Sequence, residues 1–238
     1  MLPKIEDYDE LYGEFRWRIP DTFNIGVAVS DAWGAREPER VCLQHFSSDG
    51  AHLALTYGAF AARSSAFAGG LAAHGVKPGD RVAILLPQGF EAAIAHAAIY
   101  KLGGIALPLA LLFGAEALAY RLKDAGAAAI VTNRFGHERL TAIREELPDL
   151  RLVVLAEEQH ESGTVRFGEL VAREGRFDPA ETKPDDPALM IYTSGTTGPP
   201  KGALHGHRVL LGHLPGFQFH HHFLPQPGDR MWTPADWA

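Results

Sequence analysis

The sequence has little cysteine and no excess of basic residues, and both shortages narrow the classes of protein that it can encode. Cys42 is the one cysteine among 238 residues. A single cysteine excludes an intramolecular disulfide framework and is consistent with a reducing compartment. Because Cys42 lies in a predicted strand, we expect it to pack as a small core residue. The formal net charge is −7. Because nucleic-acid binders usually carry a basic surplus, we expect no nucleic-acid partner.

Long apolar runs are also missing. The run from Leu102 to Ala115 contains Pro108 and is shorter than the roughly 20 residues that a membrane span needs. The opening stretch, MLPKIEDYDELYGEF, is acidic and lacks the apolar centre of a signal peptide. We therefore expect no signal peptide, no integral membrane segment and a cytoplasmic protein.

Strands alternate with helices along most of the chain. After an irregular arm at 1–40, the runs VCLQHF and LALTY flank an Asp49-Gly50 turn and predict a hairpin. Thr56 can cap a helix from Tyr57 to about His74. The apolar runs RVAILLP, IALPLA, AAIVT, RLVVLA and ALMIYT then predict buried strands, with helical segments between them. This pattern predicts an α/β fold with a mostly parallel sheet flanked by helices.

A polar, proline-containing stretch, GRFDPAETKPDDP, interrupts this pattern at residues 175–187. It divides the chain into three predicted parts. Residues 1–174 form an N-terminal arm and a first α/β lobe, and residues 175–187 form a linker. Residues 188–238 carry one further strand and the start of a second lobe.

The most informative stretch is YTSGTTGPPKG, which follows the apolar run ALMI. Ligands of α/β sheets bind outside the carboxyl ends of strands, and this loop has that position. Gly195 and Gly198 allow a positive φ and a close approach of the backbone to a ligand. Four small hydroxyl side chains, the backbone N–H groups and the Lys201 ammonium can then bind a polyphosphate. The alternative is a solvent-exposed turn that is rich in Gly, Ser and Thr.

Three known phosphate-binding or catalytic motifs do not match this stretch. Gly202 stands where a Walker loop needs Ser or Thr, the dinucleotide pattern G-x-G-x-x-G is absent, and Tyr192 precedes Ser194 where a G-x-S-x-G elbow needs Gly. Instead, YTSGTTGPPKG resembles the signature of the adenylate-forming (AMP-binding) superfamily at every position. Further stretches, among them GVKPGDRVAILLP and PGDRMWTPADWA, resemble its acetyl-CoA and medium-chain acyl-CoA synthetase branch.

The resemblance implies the N-terminal lobe of the synthetase fold and a two-step reaction. A carboxylic acid, such as a fatty acid, attacks the α-phosphate of ATP, and the thiol of coenzyme A then displaces AMP from the acyl-adenylate. The loop would hold the β- and γ-phosphates together with Mg²⁺. The residues given this role are Thr193, Ser194, Gly195, Thr196, Thr197, Gly198 and Lys201.

The resemblance ends in WTPADWA, before the family segments that contact adenine, ribose and Mg²⁺ and before the catalytic lysine. We therefore expect an incomplete N-terminal portion that carries no catalytic residue and is inactive alone. Trp232 and Trp237 are expected near the acyl pocket, with core packing as the alternative. The clustered histidines lack a shared face for a metal site, so we expect no metal ligands and place His205 and His207 near the phosphate loop.

A second hypothesis stays open beside the ligase. The chain could instead be a non-catalytic nucleotide-binding or interaction module that has kept the phosphate loop. The sequence does not determine the acyl chain length or the oligomeric state.

Overall fold

In a computed structural model, the described part of the chain comprises residues 2–47, 50–159, 161–193, 198–233, 235 and 237. The N-terminal arm is irregular with short helical pieces, as the sequence predicts. Its elements are α1 (Tyr8–Glu14), a π-helical turn (Val27–Asp31) and α2 (Ala32–Arg36).

A two-stranded antiparallel sheet follows the arm, formed by β1 (Val41–Phe46) and β2 (His52–Thr56). The predicted hairpin is therefore present, although Asp49 of its turn lies outside the described residues. Cys42 is half-buried in β1, with its Sγ 3.2 Å from the carbonyl of Leu55. Burial raises the pKa of this thiol to about 11, which keeps it a protonated packing group.

Helices alternate with the remaining strands, and several begin at capping residues. The side chain of Thr56 accepts a hydrogen bond from the backbone N–H of Ala59 at 3.2 Å, which confirms the predicted cap. The later helices are α3 (Tyr57–Ala73), α4 (Phe90–Leu102), α5 (Ala115–Ala125), α6 (Arg134–Ile143) with a 3₁₀ turn (Arg144–Glu146), α7 (Phe167–Val171) and α8 (Val209–His220).

Seven strands form the main sheet, in the spatial order β7-β6-β5-β3-β4-β8-β9. All neighbours pair in parallel except β8 and β9, so the mostly parallel α/β fold is confirmed. The strands are β3 (Arg81–Leu85), β4 (Ile105–Pro108), β5 (Ala127–Thr132), β6 (Leu152–Leu155), β7 (Val165–Arg166), β8 (Pro187–Thr193) and β9 (Lys201–Gly206).

The sheet has an apolar layer on each face. Alternation along β3 sends Val82 and Ile84 into one layer with α3, α4 and α7, and sends Ala83 and Leu85 into the other with α5 and α6. These β3 residues are at most 3 % exposed. Burial on both faces explains why this strand is a continuous apolar run in the sequence.

The stretch at 175–187 lacks helix and strand before β8 begins, but it is fastened to the first lobe. Ala180 N–H donates to the Lys101 carbonyl at 2.7 Å, and Thr182 Oγ1 donates to the Phe23 carbonyl at 2.8 Å. Beyond it, β8 joins the same sheet by pairing with β4, Leu189 lying opposite Ala106. The division into a first lobe, a linker and a second lobe stays a prediction.

Candidate functional site: a hairpin loop at the carboxyl edge of the sheet

The predicted phosphate loop joins two antiparallel strands. β8 and β9 pair in register from Leu189 opposite His205 to Thr193 opposite Lys201. Because β8 runs parallel to β3, β4 and β5, its loop lies at their carboxyl edge, where α/β proteins bind ligands. The prediction that the loop follows a strand at this edge agrees with the structure.

Three of the seven predicted loop residues belong to the described part of the chain. Thr193 ends β8, Lys201 begins β9, and both are exposed and opposite each other. Gly198 has a φ of 86°, in the left-handed region that glycine adopts without strain. The other four, Ser194, Gly195, Thr196 and Thr197, lie outside the described residues. The structure thus places Thr193 and Lys201 opposite each other at the base of the loop.

Sequence reasoning missed the partner strand β9. Its residues, KGALHG, show neither alternation nor β-branched side chains, so their strand conformation depends on pairing with β8. Gly202 has close side-chain neighbours there. A Cβ at this position would lie 3.0 Å from Met190 Sδ and 3.1 Å from Tyr192 Cζ. The absence of a side chain at Gly202 leaves room for the Met190 and Tyr192 side chains of β8.

The predicted helix at AEALAYRLKDAG is present as α5, but sequence reasoning missed the contacts by which it holds this hairpin. The Tyr192 hydroxyl donates to Asp124 Oδ2 at 2.5 Å, and the Tyr120 hydroxyl donates to the Pro200 carbonyl at 3.0 Å. Tyr120 and Asp124 both belong to α5. Burial and the neighbouring Asp124 carboxylate raise the pKa of Tyr192, so its hydroxyl stays protonated as the donor.

Arg121 adds a cation to the same surface of α5. Its guanidinium lies 4.1 Å from the ring centre of Phe113 and 5.9 Å from that of Tyr192, and its Nη1 donates to the Ala117 carbonyl at 2.8 Å. The contact with Phe113 ties the loop after β4 to the helix that carries Tyr120 and Asp124. No short-range sequence pattern signals these contacts.

The expectation that His207 lies near the phosphate loop is wrong. Gly206 pairs with Pro187 at the far end of the hairpin, so the following His207 lies at the opposite edge of the sheet. There it is fully buried, and its Nδ1 accepts the backbone N–H of Ile25 at 3.2 Å. Burial lowers the pKa of His207 to about 4, with the nearby Asp186 acting in the other direction.

The two tryptophans near the chain end are exposed rather than packed in the core. Trp232 is 83 % exposed and Trp237 is 37 % exposed. The Gln88 side-chain amide donates to the carbonyl of Ala235, which places Ala235 beside the loop after β3. That loop is at the same carboxyl edge as the phosphate loop. In the described residues, no group of three or more His, Cys, Asp or Glu side chains could hold a metal ion.

Two solved structures that superpose on this chain are CoA synthetases. An acyl-CoA synthetase from Brucella canis superposes with a TM-score of 0.85 at 26% identity, over 98% of this chain and 43% of that one. Acetoacetyl-CoA synthetase from Streptomyces lividans superposes with a TM-score of 0.82 at 26% identity, over 91% and 35%. The chain therefore has the fold of the adenylate-forming synthetases.

The sequence profile of the AMP-binding enzyme family matches residues 30–238, and this chain belongs to that family. A curated relative, acetyl-coenzyme A synthetase from Chromobacterium violaceum, is 30% identical over 93% of this chain and 36% of its own length. The chain thus spans about a third of the length of this relative. Every helix in the described residues is too short or too polar to cross a membrane.

Proposed function

We propose that this chain forms the N-terminal part of an AMP-forming acyl-CoA synthetase. In the first step a carboxylate oxygen attacks the α-phosphorus of ATP, the bond to the bridging oxygen breaks, and pyrophosphate leaves. In the second step the sulfur of coenzyme A attacks the acyl carbon, and AMP leaves as the thioester forms. The observation that carries the proposal is the exposed Thr193–Lys201 pair at the base of a hairpin loop at the carboxyl edge of the sheet.

The loop has one task in this reaction. We assign to it the β- and γ-phosphates of ATP, held by backbone N–H groups, hydroxyls and the Lys201 ammonium. These donors stabilise the charge that develops on pyrophosphate as it leaves. Mg²⁺ fits as a companion of ATP, because it binds through phosphate oxygens and few protein ligands. The assigned residues are Thr193, Ser194, Gly195, Thr196, Thr197, Gly198 and Lys201.

The carboxylic acid is proposed to bind near Trp232 and Trp237. The hydrogen bond from Gln88 to Ala235 supports this. It places Ala235, which lies between the two tryptophans in the sequence, at the edge of the sheet that carries the phosphate loop. Large exposed aromatic side chains at a ligand-binding edge are suited to an acyl chain.

By themselves, the 238 residues are proposed to form no acyl-adenylate. The groups that the family uses for adenine, ribose and the catalytic lysine have no counterpart here, and a displacement of about 1 Å can already cost roughly a hundredfold in rate. A fatty-acid-dependent exchange of ATP with pyrophosphate by this chain would contradict the proposal. A non-catalytic nucleotide-binding or interaction module that has kept the phosphate loop is the second candidate.

Separate measurement of the two half-reactions tests the proposed function. In the full-length synthetase that carries this chain, Lys201→Ala is expected to slow adenylate formation at least tenfold more than thioester formation from supplied adenylate, because the pyrophosphate contacts act only in the first step. Lys123→Ala, which removes an exposed lysine of α5, is the control. Equal losses in both half-reactions would contradict the assignment. If the reading frame ends at residue 238, the non-catalytic alternative gains support.

A further inference from the structure

The loop-bearing end of β8 extends past its pairing with the sheet. β8 pairs with β4 at Leu189, opposite Ala106, while its pairing with β9 continues to Thr193. Pro108, which ends β4, has no backbone N–H with which to extend the ladder. The last residues of β8 and the first of β9 therefore depend on other contacts to keep their direction relative to the sheet.

Helix α5 supplies two such contacts. Tyr120 and Asp124 are four positions apart on α5, so their side chains share a face. Asp124 accepts a hydrogen bond from Tyr192, which is two residues before the loop residue Ser194. Tyr120 donates to the carbonyl of Pro200, the residue just before β9. The helix thus bonds the chain on both sides of the loop.

Tyr120 of the helix and Tyr192 of β8 also contact each other. The rings of Tyr120 and Tyr192 meet edge to face, with their centroids 6.4 Å apart and an interplanar angle of 83°. The Arg121 guanidinium lies over the Tyr192 ring at 5.9 Å. Met190 and Tyr192 pack against the apolar layer that contains Leu118 and Leu122 of the same helix. Both sides of the loop are therefore joined to α5 by polar and apolar contacts.

We propose that Tyr120 and Asp124 are positioning residues that clamp both ends of the phosphate loop. This inference rests on the proposed function, because it concerns the loop assigned above to the β- and γ-phosphates. The clamp acts through geometry: backbone N–H groups stabilise pyrophosphate only where they meet its oxygens, and holding both ends restricts where they lie. In this proposal both residues act through the loop, by way of Pro200 and Tyr192.

Hydrogen exchange on the 238-residue chain tests the clamp without reference to activity. Tyr120→Phe and Asp124→Ala each remove one bond and keep the backbone of α5. We expect amide exchange at residues 201–203 to accelerate about tenfold in either variant, while the amides of β5 stay unchanged. Glu116→Ala, on the exposed start of α5, is the control. Unchanged exchange at residues 201–203, or acceleration throughout the sheet, would overturn the proposal.

Half-reaction kinetics in the full-length synthetase supply the second readout. Tyr120→Phe and Asp124→Ala are expected to lower kcat for adenylate formation about tenfold, with the KM for the carboxylic acid and the rate of thioester formation within twofold of wild type. Asp124→Asn, which keeps an acceptor oxygen, is expected to restore most of the rate. Combining Asp124→Ala with Tyr192→Phe should cost little more than either change alone, because both remove the same bond.

The two proposals fail in different ways. If Lys201→Ala slows both half-reactions equally, the phosphate role of the loop is wrong whatever the clamp variants do. If Lys201→Ala is selective for adenylate formation but Tyr120→Phe and Asp124→Ala are not, the loop binds phosphate and the clamp is wrong. Loss of both half-reactions in the clamp variants, with a lowered melting temperature, indicates a purely structural helix contact and also overturns the clamp.

Discussion

The ammonium of Lys101 lies 2.7 Å from Oδ2 of Asp31 and joins the π-helical turn of the arm to α4. The Lys101 side chain is fully buried, whereas that of Asp31 is 34% exposed. The ammonium also donates to Ser64 Oγ at 2.8 Å, to Ser65 Oγ at 3.0 Å and to the carbonyl of Ala61 at 3.1 Å. Burial lowers the pKa of Lys101, and the Asp31 carboxylate opposes that shift.

Asp31→Ala is expected to destabilise the chain by roughly 3 kcal/mol, because it leaves a buried ammonium without its counter-charge. Urea unfolding measures this loss. Asp178→Ala breaks an exposed ion pair with Arg176 and is expected to cost less than about 1 kcal/mol. Adding Lys101→Met to Asp31→Ala should recover part of the loss. Similar losses for Asp31→Ala and Asp178→Ala would contradict this account.

Two histidines with lowered pKa values, the partly buried His96 and the fully buried His207, predict acid sensitivity. Burial lowers the pKa of both His96 and His207 to about 4. His96 is beside the Tyr100 hydroxyl at 3.2 Å, and His207 is beside the Tyr100 ring and near Asp186. In the unfolded chain the ordinary pKa is about 6.5. The unfolded state therefore binds these protons first, and stability is lost as the pH falls from about 6.5 toward 4.

Between pH 6.5 and 5, where most carboxylates are still ionised, the two histidines are expected to reduce the free energy of unfolding by up to about 2.7 kcal/mol per pH unit. Urea titrations at several pH values measure this slope. His207→Gln keeps an acceptor for the Ile25 N–H and should halve the slope. His213→Asn replaces an exposed histidine of α8 and should leave the slope unchanged. A flat profile over this range would be inconsistent with two neutral histidines.

Residues 204–233 are expected to be less protected than the central strands of the sheet. Four large apolar side chains are at least 52 % exposed there, Leu204, Phe219, Met231 and Trp232. The residues of β3 and β5, by contrast, are almost all buried. Hydrogen exchange should therefore be much faster across 205–233 than in β3 and β5. Slow exchange throughout 205–233 in a proven monomer would show that this segment folds stably without further covering.

Local patterns predicted much of this fold. Continuous apolar runs marked β3, β5 and β6 as strands buried on both faces, and Thr56 marked the start of α3, because these features depend on neighbouring residues in the chain. β9 was not predictable, since its strand conformation comes from pairing with β8. The Tyr120–Pro200 and Asp124–Tyr192 hydrogen bonds join residues 80 and 68 positions apart, and no local pattern encodes such contacts.

Chemical footprinting of lysines tests the central claim most directly. Lys201 is exposed at the start of the proposed phosphate loop, and Lys77, Lys123 and Lys183 are exposed elsewhere. In the full-length protein, ATP or inorganic pyrophosphate is expected to lower acetylation of Lys201 at least fivefold, while adenosine leaves it unchanged and the other three lysines react as before. Mass spectrometry gives the modification at each site. Equal labelling of Lys201 with and without saturating ATP and pyrophosphate would contradict the assignment of this loop to the phosphates.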